Sequence, residues 1–536
     1  MSVTSRTSGV AILRILLVLV IAASLALTAS AQPATPRRGG TIVVLIGGDP
    51  PLLNPHFSTL PWVSMISMAV YDTLVVLDPN MKALPGLAES WTVSPDLKTY
   101  RFRLAPGVRW HDGRALTSAD VKFTFEVVAN KLNPNGPIAF RGLERVDAPD
   151  PRTVVVQFAQ PHPAFLLYLG WPITGAVLPK HIYEGTEIRQ NPTNVRPIGS
   201  GPFRFVEWNR GSTVVLERNP DYFRKGLPYL DRVVFRVVRD PAGRVIALQN
   251  KEVDFILGFD LPLRDSVQVR MSRELKAVFN MDRAISGQLF IGLNTSRPPF
   301  NDVRVRRAVA HAIDKNIIWQ RIFFGLGAIA TGPTSHYIGP QYNRNVTKFD
   351  HNAQRANQLL DEAGLARGAG GIRLRARLTV DGSSAEFTRI ADIVREQLAE
   401  VGIELTVETF DFNTWFDRVY VRREYEMSTG RRLTGPDAIF AMHREFHSGN
   451  TQPAQRNFYL YRSADVDRAI EDGLVETDPA RRLQAAHRLQ ELIARDVPNI
   501  FLMDTPQPNA YRSILQGLDN SPWGAVRLTE VWVSGP

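Results

Sequence analysis

The sequence predicts an α/β fold in a chain long enough for two large lobes. Three observations predict it. The chain has 536 residues, enough for about three ordinary domains or two large lobes. Its first half carries segments in which polar and apolar residues alternate between turn signals, the mark of half-buried strands. Its second half repeats a succession of amphipathic helix, glycine stop and strand, the mark of an α/β lobe. The hydrophobic fraction of 44% and charged fraction of 22% are those of a globular protein.

The elements follow in order. Residues 1–14 hold Arg6 and Arg14 and no acid; residues 15–27 are apolar except Ser24; Ala29-Ser30-Ala31 then precedes Gln32. A basic start, a short apolar run and an A-x-A site predict a signal peptide over 1–31, cleaved after Ala31. The apolar run is shorter than the ~20 residues a membrane span needs. The chain contains no cysteine, so it offers no site for a lipoprotein anchor, and the expected location is the periplasm. A Pro/Gly linker over 32–40 leads to a strand at 41–46. Tyr100, Phe102 and Leu104 alternate with polar residues as one strand face, and Thr117-Ser118-Ala119-Asp120 is a helix-capping pattern. Segments 202–208 and 212–218 read as a hairpin about Asn209-Arg210-Gly211. Further on, Asp302 and Asp350 are placed to cap helices, Gly364 and Gly402 to stop them, residues 403–407 to alternate as a strand, and Asp478-Pro479 to open a last helix.

Several blocks carry a resemblance. They include Tyr71-Asp72-Thr73-Leu74, Leu87-Ala88-Glu89-Ser90-Trp91, the Gly107–Gly113 run GVRWHDG, Gly199-Ser200-Gly201-Pro202-Phe203, Glu217-Arg218-Asn219-Pro220-Asp221-Tyr222, Asn294, the run PPFNDVRVRRA over 298–308, and Ala312-Ile313-Asp314-Lys315. In number, order and spacing they resemble the family 5 solute-binding proteins of ABC importers, the dipeptide and oligopeptide class, over nearly the whole chain after residue 31. The resemblance implies a two-lobed periplasmic binding protein fold, class II-like, with an extra domain inserted in lobe I and a ligand cleft between lobes. It places lobe I at 41–69, 198–292 and 507–536, the inserted domain at 70–197 and lobe II at 293–506. It implies capture of a peptide or peptide-like solute by a monomer, and delivery to inner-membrane permeases driven by a cytoplasmic ATPase. A sensor that presents ligand elsewhere is the other binding role the sequence admits.

The resemblance also names candidate ligand contacts. Trp415 and Arg422 match in type and spacing a cavity tryptophan and arginine of the peptide binders; the alternatives are core packing and a solvated helix face. The family segment Gly-Trp-x-x-Asp-Tyr-x-Asp-Pro reads here Gly430-Arg431-Arg432-Leu433-Thr434-Gly435-Pro436-Asp437-Ala438. Arg431 stands for the tryptophan, and Thr434 for the aspartate that grips a peptide ammonium. A threonine cannot supply the charge a buried ammonium needs. Asp437 either takes over that role or caps a helix after Pro436. Arg431 and Arg432 either face a ligand carboxylate, favouring an anionic opine-like or modified amino acid, or point to solvent or pair with Asp437 or Glu445.

Other chemistry finds little footing. His443 and His447 stand at i, i+4, yet Arg444 occupies the place of the zinc-hydrolase glutamate and no third ligand is evident, so neither a metal nor another cofactor is expected. There is no G-x-S-x-G elbow, phosphate loop or thiol, so no enzyme activity is expected. The net charge of +10 is dispersed rather than clustered, against nucleic-acid binding.

Overall fold

The computed structural model describes residues 35–58, 60–279, 287–433, 435–505, 507–518, 522 and 527–535. The expected signal peptide and Thr434 lie outside the described residues. Among the described residues, three large sheets organise the chain.

The first is seven-stranded, in the order Leu275–Val278, Asn509–Arg512, Phe255–Ile256, Thr41–Ile46, Arg232–Val237, Thr213–Arg218, Phe203–Asn209. Its central strand, Thr41–Ile46, runs parallel to both neighbours, with Val43 opposite Val234 and Val44 opposite Phe255. It is covered on both faces, as parallel pairing requires. Ile42, Val44 and Ile46 pack with Leu216, Phe235 and Tyr511 on one side, while Leu45 packs with Val245, Leu248 and Val269 on the other. The predicted hairpin is present, and Gly211 supplies the left-handed φ of 72° its turn needs.

The second sheet is four-stranded and antiparallel: Ala88–Val93, Thr99–Leu104, Thr153–Phe158, Leu143–Asp150. Tyr100, Phe102 and Leu104 are buried and Arg101 and Arg103 exposed, as the alternation requires. The helix Ser118–Phe123 opens on a capping box between Thr117 and Asp120.

The third sheet is six-stranded: Ala328–Ile329, Asn499–Thr505, Gly287–Leu293, Met427–Leu433, Leu374–Asp381, Ile403–Phe410. Helices Val303–Ala312, Ala353–Glu362 and Ala385–Glu400 share one apolar cluster with it. Helices Ala438–Phe446, Ala464–Val475 and Pro479–Asp496 share another, built on Phe290, Tyr459 and Phe501. Asp302 and Asp478 cap their helices as expected. Asp350 does not: Asn352, directly before the first helical residue, accepts from Arg355 N at 2.8 Å. The chain passes between the seven- and six-stranded sheets after Val278 and again between Thr505 and Asn509. No helix among the described residues is long and apolar enough to cross a membrane.

Candidate ligand-binding cleft

A cavity of about 640 Å³ lies between these two sheets. The first lobe supplies residues 241–263 and Gln507 to its lining; the second supplies Phe323, the turn at 381–387, the helical stretch at 412–420, Arg431 and Arg456. Its size is that of an ordinary small-ligand site.

One wall is aromatic. Asp411 caps the helix Phe412–Phe416 by accepting from Asn413 N at 3.0 Å and Thr414 N at 3.2 Å, and a single wider turn continues it over Asp417–Val421. Phe412, Phe416 and Tyr420 therefore recur every four residues on one face. Phe416 and Tyr420 stack at 4.9 Å, and Phe412 and Phe416 at 6.1 Å. Phe412 is 51% exposed, unusual for a phenylalanine and apt for one that meets a ligand.

Charges of both signs complete the lining. Arg431 donates from Nη2 to Glu386 Oε2 at 2.7 Å, both side chains being partly exposed. Asp381 closes the turn, its Oδ1 accepting from Ser383 N at 3.0 Å and Ser383 Oγ at 2.6 Å. Across the cleft, burial pushes the Asp260 carboxyl up to about 6, with a Gly47 backbone hydrogen bond and Arg244 pulling the other way. Gly47 is needed here, because a Cβ would come within 2.1 Å of Asp260 Oδ1.

The candidate residues fall into separate places. Trp415 lines the cleft, nearly buried, and its Nε1 donates to Ser428 Oγ at 3.0 Å. Arg431 also lines it. Arg422 does not: it follows the last helical turn and pairs with Asp417 at 2.5 Å and Glu424 at 3.1 Å, on the solvated face. Arg432 is buried on the far side of its strand, donating to Gln288 Oε1 and lying 5.1–5.3 Å from the rings of Phe290, Phe446 and Phe501. Asp437 caps the helix Ala438–Phe446, accepting from Phe440 N at 2.9 Å and from Arg482 Nη1 at 2.6 Å. It is fully buried, and the Arg482 charge holds its carboxyl below the usual range against the opposing effect of burial. Of the two adjacent arginines, Arg431 is thus paired with Glu386 at the cleft and Arg432 lies in the core. His443 and His447 stack at 4.9 Å, with His447 Nε2 3.2 Å from Glu471.

Sequence reasoning passed over Phe412, Phe416, Tyr420, Asp381, Glu386 and Arg456. The F-x-x-x-F-x-x-x-Y spacing was a usable signal for the first three. Nothing local marked the others.

Residues 82–453 match the model of the bacterial extracellular solute-binding proteins, family 5. The chain is 30% identical over 527 residues to the oligopeptide-binding protein AppA of Bacillus subtilis, covering 94% of this chain and 93% of that protein. It is 27% identical over 467 residues to the glutathione-binding protein GsiB of Pectobacterium atrosepticum, covering 86% and 88%. Among solved structures, AppA of Bacillus subtilis in complex with a nonapeptide matches with a TM-score of 0.79 at 27% identity, covering 94% of this chain and all of that one. The ABC transporter substrate-binding protein CtaP of Listeria monocytogenes matches with a TM-score of 0.81 at 26% identity, covering 93% and 100%. With its two-lobed α/β architecture and its cleft, the chain belongs to the family 5 bacterial extracellular solute-binding proteins, the solute-capturing components of ABC importers.

Proposed function

We propose that this protein captures a peptide in the cleft between its seven- and six-stranded sheets, as a monomer, and hands it unchanged to the permeases of an ABC importer. The observation that carries the reading is the mixed lining. A peptide presents apolar side chains, an ammonium and a carboxylate, and the cleft offers the Phe412–Phe416–Tyr420 wall, acids and arginines together. The names of AppA and GsiB agree with it. Trp415 and Arg431 are the ligand contacts retained from the sequence.

Asp381 is the acid best placed to take the ammonium. Glu386 is already paired with Arg431, and Asp260 lies beneath Gly47 beside Arg244. The Asp381 carboxylate accepts only from Ser383 among the described residues. A charge-assisted hydrogen bond contributes about 1.5–3 kcal/mol. Asp381→Asn is therefore expected to weaken a free-amine tripeptide by roughly tenfold or more in calorimetric titration, and N-acetylation of the peptide to weaken wild type similarly. Equal binding of free and acetylated peptides by both proteins would remove Asp381 from this role.

The periplasmic location rests on the A-x-A site at 29–31 and the absence of a cysteine to carry lipid. The intact mass of the protein recovered from the envelope is expected to correspond to a start at Gln32; a start at Met1 would contradict export by this signal.

A further inference from the structure

The two lobes also meet away from the cleft. The helix Ala438–Phe446 presses Phe440 against the domain built on the four-stranded sheet. The ring lies 5.1 Å from Tyr168 and is fully buried with that domain's core. Beside this contact is a small cavity of about 20 Å³, room for about one water-sized particle. Arg141, His162 and Tyr168 reach it from the inserted side and Arg482 from the other.

Each of these side chains brings a buried polar atom that has no hydrogen-bond partner among the described residues: Arg141 Nη1, His162 Nε2, Tyr168 OH, and Arg482 Nε and Nη2. Native proteins rarely leave such groups unmatched, because an unpaired buried donor bears its full desolvation penalty. The nearby carboxylate cannot serve them all. Asp437 is already engaged by Phe440 N and Arg482 Nη1, and the adjacent Arg444 is paired with Glu445. His162 adds no charge, since burial lowers its pKa to about 4. Arg141 and Arg482 thus bring two positive charges to the cavity, while Asp437, already bonded to Arg482, supplies one negative charge, and what remains is a demand for an acceptor that also carries negative charge.

We propose that this cavity binds a small monatomic anion of chloride size, held by Arg141 and Tyr168 of the inserted domain and Arg482 of the opposite lobe, which bridges the two and stabilises their contact. A water molecule would satisfy the hydrogen bonds but bring no negative charge to the two guanidinium groups. The site stands apart from the cleft and does not depend on which solute the cleft takes.

The test is a pair of measurements on the full mature protein. Crystals grown in sodium bromide should show an anomalous scatterer beside Arg141, Tyr168 and Arg482. A water there without anomalous signal overturns the proposal. In solution, replacing sodium chloride by sodium gluconate at equal ionic strength should lower the melting temperature of wild type, and lower it less in Arg141→Met and Tyr168→Phe. An equal response in wild type and both variants overturns the bridging role. Bromide in the crystal without that difference would mean binding at crystal concentration only, and would overturn it too.

Discussion

His56 shows how far a single side chain is fixed by its partners. It is fully buried, with Nε2 2.7 Å from the Ala176 carbonyl and Nδ1 3.1 Å from Asn133 Nδ2, both more than seventy residues away in sequence. The carbonyl requires a proton on Nε2 and the amide NH₂ requires a lone pair on Nδ1, so the ring is the neutral tautomer. Burial lowers its pKa from 6.5 to about 4. The unfolded chain takes up a proton as pH falls through 6.5 and the folded chain does not. The stability from this residue is therefore complete above pH 6.5 and is lost as pH falls toward 4, by about 3 kcal/mol in all. NMR of the ring nitrogens should find His56 neutral at pH 5; a midpoint near 6.5 would contradict its burial. Asp437 shows what a sequence does and does not disclose at this scale. An aspartate directly before the apolar run Ala438-Ile439-Phe440 is a capping signal, and capping is what it does. Its partner Arg482 lies on another helix, and no local pattern points to it.

The strand Met427–Leu433 separates two arginines that the sequence places side by side. Successive side chains of a strand point to opposite faces. Arg431 reaches the cleft and Glu386, while Arg432 enters the core opposite Gln288, its register partner on Gly287–Leu293. The two residues should respond differently to truncation. Arg431→Ala breaks a partly exposed ion pair and should change stability by no more than about 1 kcal/mol. Arg432→Ala removes a buried charge-assisted hydrogen bond and leaves a gap among three phenylalanines, and should cost about 2–4 kcal/mol. Urea unfolding of the two variants checks this; equal losses would contradict the assigned faces. The helical stretch from Phe412 to Val421 is the complementary case. Its four-residue aromatic spacing is visible in the sequence, but the sheet beneath it decides that this face meets the cleft while Arg422 turns outward.

At the scale of the whole molecule, the cleft exists because strands distant in sequence share sheets. Asn509–Arg512 pairs with both Phe255–Ile256 and Leu275–Val278, whereas Asn499–Thr505, separated from it only by residues 506–508, belongs to the other lobe. Periodicity found strands and helices but carries no information about which sheet a strand joins, so the two-lobed arrangement was legible only through the family blocks. The lining was less legible still, being assembled from a first-lobe loop at 258–263, a turn at 381–387 and the 412–420 stretch. The account stands on one claim, that this cleft holds a peptide. Calorimetric titration of the purified protein with a panel of di- to nonapeptides, repeated with Phe412→Asp, tests it most directly. Phe412 is half exposed, so the change spares the core. Wild type should bind at least one peptide class at one-to-one stoichiometry, and the variant should bind it about tenfold or more weakly, the loss of an aromatic contact of about 1–2 kcal/mol. Absence of binding across the panel, or equal binding by wild type and variant, would contradict the account.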